Sequence, residues 1–364
     1  MSASMSTAMV DRTKSSLTGA YVAIVAMLIV PQFFLVHPYL HLLIMAPLLV
    51  WTGCQRSLLM AQVSPEESQV ETVSKTDAMK FPLIGSAVLF SLYVVVKLVK
   101  KEYLDILIAC YFSVLGAFGM FGCIQAPVTE LLGMTGLKQY EFKFNYQFWR
   151  KQEAKEPIEF KFNLLDVAVF AGCVGLSTAY ALTKAWYLNN ALGCAFSVQG
   201  IEMLSLGSFV IGAILLMGLF VYDVFWVFGT EVMVAVAKGL NAPVKIMFPK
   251  ALGVTPIPFS MLGLGDIVIP GIFVALMLRF DHKQGFTGTP YFYANFVAYV
   301  LGLVTTVGVM HVFDAAQPAL LYLVPGCLGA ALLTAVSRGE LQLLLNYSEE
   351  KTEEQAAAEE KKAK

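Results

Sequence analysis

Long apolar runs separated by short polar segments dominate the chain. Most runs hold about 20 residues with few charges, the length that an α-helix needs to cross the hydrocarbon core of a bilayer. Ten runs are predicted to span a membrane: 18–36, 39–60, 81–99, 104–124, 163–183, 186–201, 206–228, 258–278, 290–312 and 316–336. The pattern therefore predicts an all-α polytopic membrane protein.

Two of these runs are unusual. Segment 186–201 is short and contains Asn189, Asn190 and Gln199, so we expect it to pack inside the bundle rather than face lipid. Segment 18–36 lies near the N-terminus and could be a signal sequence. No small-residue cleavage pattern follows it, and an uncleaved helix is therefore favoured.

The polar segments divide the chain into four parts. None of the polar segments is long enough for a large soluble domain. Any activity is therefore expected within the bundle. The parts are an N-terminal hydrophobic region at 1–60, a linker at 61–80, a transmembrane bundle at 81–336 with loops at 125–162 and 229–257, and a charged tail at 337–364, expected to be a solvated helix or disordered.

Composition supports the membrane prediction. Of the 364 residues, 57% are hydrophobic and 14% are charged, against roughly 25% charged in soluble domains. The net charge of −1 gives no indication of nucleic-acid binding. If both termini are cytosolic, 18 of the 25 lysines and arginines lie on the cytosolic side and 7 on the other. This asymmetry predicts a cytosolic linker and a cytosolic C-terminal tail.

The sequence contains no pattern typical of a metal or cofactor site. The six cysteines lie in or beside apolar segments without a C-x-x-C pair, and packing thiols are the favoured interpretation. The four histidines are scattered, with no H-E-x-x-H, and neither G-x-S-x-G nor a phosphate-binding loop occurs. We therefore expect no metal and no cofactor.

Two consecutive predicted spans each carry an aspartate. Asp223 lies in segment 206–228 and Asp266 in segment 258–278. A charged residue at the centre of a membrane helix costs roughly 2.5–3.5 kcal/mol on insertion scales. The 43 residues between the two acids allow the chain to leave the membrane and return to a similar depth. Antiparallel neighbouring helices could then bring the two carboxylates face to face.

Paired carboxylates fit more than one function. Two close acids share a proton, so that one can take a proton from water while the other donates one to a peptide carbonyl, as in aspartic proteases. A proton-coupled transporter or leak channel would also use such a pair, and a purely structural pair is a third alternative. Gly263 and Gly265 let another backbone approach Asp266. Pro318 predicts either irregular backbone or a simple helix start.

Three short strings occur in order on the last helices: "YD" at Tyr222–Asp223, "GLGD" at Gly263–Asp266 and "QPALL" at Gln317–Leu321. Together they resemble the signature of intramembrane aspartyl proteases, the signal peptide peptidase and presenilin superfamily. Longer strings such as "YDVFWVFGTEVMVAVAK" and "MLGLGDIVIPGIFVALMLRFD" resemble the signal peptide peptidase family more closely than the presenilins.

The resemblance implies a presenilin-like bundle of nine transmembrane helices, to which 18–36 would be an extra N-terminal helix. It implies that Asp223 and Asp266, on helices 206–228 and 258–278, are the catalytic dyad. The expected activity is hydrolysis within type II-oriented transmembrane segments, chiefly remnant signal peptides. Residues implied to bind substrate or support the site are Tyr222, Gly263, Leu264, Gly265, Gln317, Pro318, Ala319 and Leu320.

The last four residues, "KKAK", bear on localisation. Lys361 and Lys362 stand at the positions of a dilysine signal for retrieval to the endoplasmic reticulum, which predicts residence in that membrane with a cytosolic C-terminus. The resemblance implies transmembrane signal peptides and the lipid bilayer as partners. It also implies homo-oligomers and a possible association with endoplasmic-reticulum degradation machinery, but no nucleic acid.

Overall fold

The computed structural model describes residues 2–63, 71–133, 140–144, 158–230, 232, 236, 242–254, 256–313 and 317–349. The helices within these residues are α1 Ser2–Phe33, α2 Pro38–Val63, α3 Lys75–Leu98, α4 Lys101–Leu131, α5 Leu164–Thr183, α6 Trp186–Met203, α7 Phe209–Phe228, α8 Gly265–Gln284, α9 Pro290–Phe313, α10 Leu320–Ser337 and α11 Leu341–Leu345. The strands are β1 Glu71–Val73, β2 Tyr140–Phe144, β3 Ile158–Phe162, β4 Leu204–Leu206, β5 Lys245–Pro249 and β6 Phe259–Gly263.

The first ten helices coincide with the ten predicted spans, which confirms the all-α polytopic class. Eight of them are long and apolar enough to cross a membrane, and α6 and α8 are the two that are not. α6 carries two asparagines, and α8 carries charged residues at both ends. Both are buried among the other helices, and a helix that contacts protein rather than lipid can keep polar groups that have partners.

Helix α8 forms the centre of the bundle. Its residues from Ile272 to Leu278 are at most 4% exposed, and α8 packs against α2, α6, α7, α9 and α10. Close packing depends on small residues: a methyl group added at Gly271 of α8 would lie 2.5 Å from Cδ1 of Ile201 on α6. Ile201 also faces Gly53 of α2, where an added methyl group would lie 2.7 Å from its Cβ.

Among the described residues, three two-stranded sheets connect these helices. β1 pairs with β4 in parallel, β2 with β3 antiparallel, and β5 with β6 antiparallel. The segments predicted as a linker at 61–80 and as loops at 125–162 and 229–257 therefore contain regular structure in their described parts. α3 also begins within the expected linker, where Ser74 caps it by accepting a hydrogen bond from the N–H of Asp77.

The prediction of one continuous helix over 258–278 is wrong at its start. Residues Phe259–Gly263 form β6, and helix α8 begins only at Gly265. Glycine is a poor helix former, and the backbone of this segment instead pairs with β5. Asp266 consequently lies in the first turn of α8 and directly follows an extended strand.

A buried ion pair joins four helices. Arg56 of α2 makes a two-pronged contact with the carboxylate of Glu202 on α6, at 2.7 and 2.9 Å. Its remaining N–H groups donate to the hydroxyl of Tyr21 on α1 and to the carbonyls of Gly122 and Cys123 on α4. Such saturation of the guanidinium compensates for its removal from water. Helix α1 is thus part of the same polar network as the bundle.

The described part of the predicted tail is packed rather than solvated. Glu349 accepts a hydrogen bond from Nε of Arg279 on α8 at 2.8 Å, and its backbone N–H donates to the carbonyl of Gly207, just before α7. Tyr347 is 5% exposed and packs edge-on against Phe280. This part of the tail therefore packs against the bundle and supplies the carboxylate partner of the buried Arg279.

Candidate active site

Asp223 lies on α7, near its C-terminal end, and only 4% of its surface is exposed. Its Oδ2 accepts a hydrogen bond of 3.2 Å from the backbone N–H of Leu320, the first residue of α10. The first four N–H groups of a helix lack partners within that helix, so the start of α10 offers a free donor. The acid on α7 is thereby oriented by the backbone of α10.

Asp266 lies in the first turn of α8, beside the glycine that ends β6. A methyl group at Gly263 would lie 3.4 Å from Oδ2 of Asp266, so the carboxylate rests against the bare backbone of that residue. The hydroxyl of Tyr299 on α9 donates to the carbonyl oxygen of Asp266 at 3.5 Å. The carboxyl group of Asp266 is close enough to that of Asp223 for their charges to interact.

The other predicted residues near Asp266 connect strand to helix. The N–H of Leu264 donates to the carbonyl of Val244, which extends the β5–β6 pairing by one step. The carbonyl of Leu264 then accepts from the N–H groups of Ile267 and Val268 and so starts α8. Gly265 is the first residue of the helix, and a methyl group added there would meet only Ile269, at 3.9 Å.

The segment Gln317–Leu320 precedes and opens α10. Gln317 and Pro318 lie outside the helix, and the carbonyl of Pro318 accepts from the N–H of Leu321, so two irregular residues lead directly into a helix start. Pro318, Ala319 and Leu320 are buried, and Gln317 accepts a hydrogen bond from the hydroxyl of Tyr322 at 3.4 Å. This irregular segment brings the N–H of Leu320 to Asp223.

Tyr222 makes its described contacts mainly with α3. A methyl group at Gly85 would lie 3.6 Å from its ring, and the ring centroid lies 6.3 Å from that of Trp226. The indole N–H of Trp226 donates to the hydroxyl of Ser86, also on α3.

Two features of the site were not predicted. Tyr299, fully buried on α9, is one of 15 tyrosines, and nothing in the sequence distinguishes it. Asn189 and Asn190 were predicted to be buried, but their partners on β5 were not predicted; an amide in an apolar span was the available signal. Within the described residues, no group of three or more His, Cys, Asp or Glu side chains could hold a metal ion. Lys361 and Lys362 lie outside the described residues.

A polytopic helical bundle with two interacting acids in its core, beside a strand and an irregular segment, has the architecture of an intramembrane protease. The chain matches the profile of the signal peptide peptidase family over residues 65–351. The chain therefore belongs to the signal peptide peptidase family, and it is an intramembrane protease.

Similar proteins support this assignment. The chain is 42% identical over 332 residues to the signal peptide peptidases of Mus musculus and Homo sapiens, covering 89% of this chain and 86% of each relative. It is 48% identical over 216 residues to intramembrane protease 2 of Caenorhabditis elegans, covering 55% of this chain and 46% of that protein. These relatives do not support the transporter or channel alternative.

Proposed function

We propose that this protease hydrolyses peptide bonds within type II-oriented transmembrane helices, chiefly remnant signal peptides, with Asp223 and Asp266 as its catalytic acid and base. One carboxylate takes a proton from water as the water oxygen attacks the peptide carbonyl carbon. The other carboxylic acid gives its proton to the carbonyl oxygen. Cleavage of the C–N bond then passes a proton to the departing nitrogen and leaves a carboxylic acid and an amine.

The observation that carries the proposal is the contact between Asp223 and the N–H of Leu320, next to Asp266. Three separate segments that bear the predicted motifs meet there. Two acids alone could serve proton transport, but transport has no need for a strand that leads directly to one of them. β6 ends three residues before Asp266 and supports a role in binding an extended peptide.

A substrate helix has to unwind before its peptide bonds become accessible, because its own hydrogen bonds shield them. An opened segment then needs new partners for its N–H and C=O groups within the membrane. The edge of β6 can provide them by addition of a third strand to the β5–β6 sheet. A peptide paired along β6 towards Gly263 would approach the carboxylate of Asp266.

The proposal includes residence in the endoplasmic reticulum membrane with a cytosolic C-terminus. It is supported by the lysine and arginine asymmetry and by the dilysine pattern at Lys361 and Lys362. Replacing both lysines by alanine is expected to move a fluorescently tagged protein out of the endoplasmic reticulum. Association into homo-oligomers and with degradation machinery belongs to the same proposal, on the family resemblance.

The test of the activity is cleavage of a fluorescent signal-peptide substrate by purified protein. We expect Asp223→Ala and Asp266→Ala to remove cleavage while each protein stays folded. Asp105→Asn, which removes an acid paired with Lys184 outside the site, is the matched control and should stay active. Substantial activity in either alanine variant would refute the dyad. Absence of cleavage by folded wild-type protein would refute the substrate class.

A further inference from the structure

We propose that Asn189 and Asn190 of α6 close the outer edge of β5, so that an extended substrate can add only along β6, beside Asp266. In this view the two asparagines are positioning residues: they act on the substrate through the sheet and do not touch it. The inference rests on the proposed function, because it concerns how that substrate is aligned.

The two side chains bond the backbone of β5 as a neighbouring strand would. The amide nitrogen of Asn190 donates to the carbonyl of Met247 at 2.7 Å, and its amide oxygen accepts from the N–H of Met247 at 2.8 Å. The amide nitrogen of Asn189 donates to the carbonyl of Lys245 at 2.8 Å. Both asparagines are at most 3% exposed. Buried amides with this geometry are satisfied by the strand and hold it in place.

The strand alternation shows which edge these bonds occupy. Successive residues of a strand direct their N–H and C=O groups to opposite edges. The hydrogen bonds from Leu264 to Val244 and from Lys250 to Pro258 show that the backbone groups of the even-numbered residues of β5 face β6. The backbone groups of Lys245, Met247 and Pro249 therefore face the outer edge.

That outer edge has few groups left for a peptide. Asn189 occupies the carbonyl of Lys245, and Asn190 occupies both backbone groups of Met247. Pro249, the next outward residue, has no N–H group to offer. A peptide that approached β5 from outside would thus find its partners already used.

The opposite edge of the sheet is different. The same alternation directs the N–H and C=O groups of Phe259, Met261 and Gly263 away from β5. Across the part of the chain that the structure describes, no hydrogen bond reaches these outward groups and no third strand pairs with β6. Met261 is also 48% exposed. Unpaired groups along a strand are a template for a further strand.

Helix α6 is placed to hold the β5–β6 sheet at a fixed position relative to Asp266. It is buried between α2, α4 and α8, and Gly193, one turn after Asn189, lies directly against the sheet. A methyl group there would be 3.5 Å from Cδ2 of Leu264 and 3.6 Å from Cγ1 of Ile246. One buried helix therefore contacts both β5 and Leu264, the residue before α8, so the asparagines hold the sheet in position relative to Asp266.

The test compares Asn190→Leu, which removes two hydrogen bonds to β5 and keeps the branched shape of the side chain, with Asn189→Leu, which removes one. Either substitution also removes the 3.4 Å hydrogen bond between the two asparagines. Ser197→Ala is the matched control, because it deletes a buried hydroxyl that bonds only the carbonyl of Gly193 within α6. Each purified variant is assayed for melting temperature, for kcat and KM on the signal-peptide substrate, and for cleavage positions by mass spectrometry.

We expect Asn190→Leu to raise KM, to lower kcat/KM by roughly tenfold, and to spread cleavage over neighbouring bonds, with a smaller effect in Asn189→Leu. Ser197→Ala should cut at the wild-type position with wild-type KM. If Asn190→Leu does not fold, Asn189→Leu carries the test.

Wild-type KM and an unchanged cleavage position in the folded asparagine variants would overturn the inference. So would a loss of kcat that only follows the loss of folded protein. Failure of the wild type to cleave would count against the proposed function instead, so the two failures are distinguishable.

Discussion

Gly263 provides a sharp test of the site because its role depends on space rather than on backbone conformation. Its φ angle is not positive, so the backbone there does not require glycine. The reason for glycine is the 3.4 Å between a methyl group at this position and Oδ2 of Asp266. Alanine would just contact the carboxylate, whereas the branched side chain of valine would have to displace it or the end of β6.

The magnitude follows from this distance. Overpacking of a filled site costs about 1–3 kcal/mol. If the whole cost falls on the alignment of Asp266, Gly263→Val is expected to lower kcat/KM by about 5- to 160-fold. Gly263→Ala stays at van der Waals contact and is expected to lose less than about fivefold. The graded loss should appear mainly in kcat, because the displaced group is proposed to take part in the chemistry.

The assay is cleavage of the fluorescent signal-peptide substrate by purified protein, together with the melting temperature of each variant. Gly308→Ala and Gly308→Val are the matched controls: Gly308 lies within a helix, and a methyl group there meets no atom within 4 Å. Wild-type kcat in folded Gly263→Val would refute the reasoning, since the carboxylate would then tolerate a bulky neighbour.

Two predictions concern stability. Arg56→Leu is expected to lower the free energy of unfolding by about 3–5 kcal/mol, because it leaves the buried carboxylate of Glu202 unpaired; Arg56→Leu with Glu202→Leu should recover most of it in detergent unfolding. The hydrogen bond from Arg338 lowers the pKa of Glu340 below its ordinary value of 4.5, so the pair stabilises the fold above that pH and loses its effect as the pH falls further. Glu340→Gln should therefore flatten the acid dependence of the free energy of unfolding, by less than about 1 kcal/mol at this partly exposed site; an unchanged acid dependence would contradict this.

The helices were predictable because each contains a long apolar run, and helix α6 was recognisable as buried because amides stand within that run. β6 was not predictable in the same way. The string from Phe259 to Gly263 is mostly apolar, and a short apolar run has no period that separates strand from helix. Its conformation is decided by hydrogen bonds to β5, a strand that lies within the segment predicted as a loop.

The same contrast holds within the candidate site. Asp223 and Asp266 could be paired from the sequence because an isolated acid in a membrane helix is costly and each needs a reason to be there. Irregular backbone near Pro318 was predictable only as one of two alternatives, the other being a simple helix start. That the N–H of Leu320 would bond Asp223 was not predictable, since the relative rotation of α7 and α10 depends on packing over their whole length.

The segment around Glu349 connects α7 and α8 at the end of the bundle that lies away from the two acids. Glu349 contacts Arg279 near the end of α8 and the carbonyl of Gly207 just before α7. At 1.5 Å per residue, Asp266 and Asp223 lie about 20 Å from these contacts along their helices. The antiparallel pair is thus tied at one end by the segment around Glu349, while at the acid-bearing end Asp223 bonds the N–H of Leu320 on α10. An opening of the site to admit water and substrate can therefore take place at the acid-bearing end without loss of the fold, because the bonds that hold α7 to α8 at the opposite end do not depend on it.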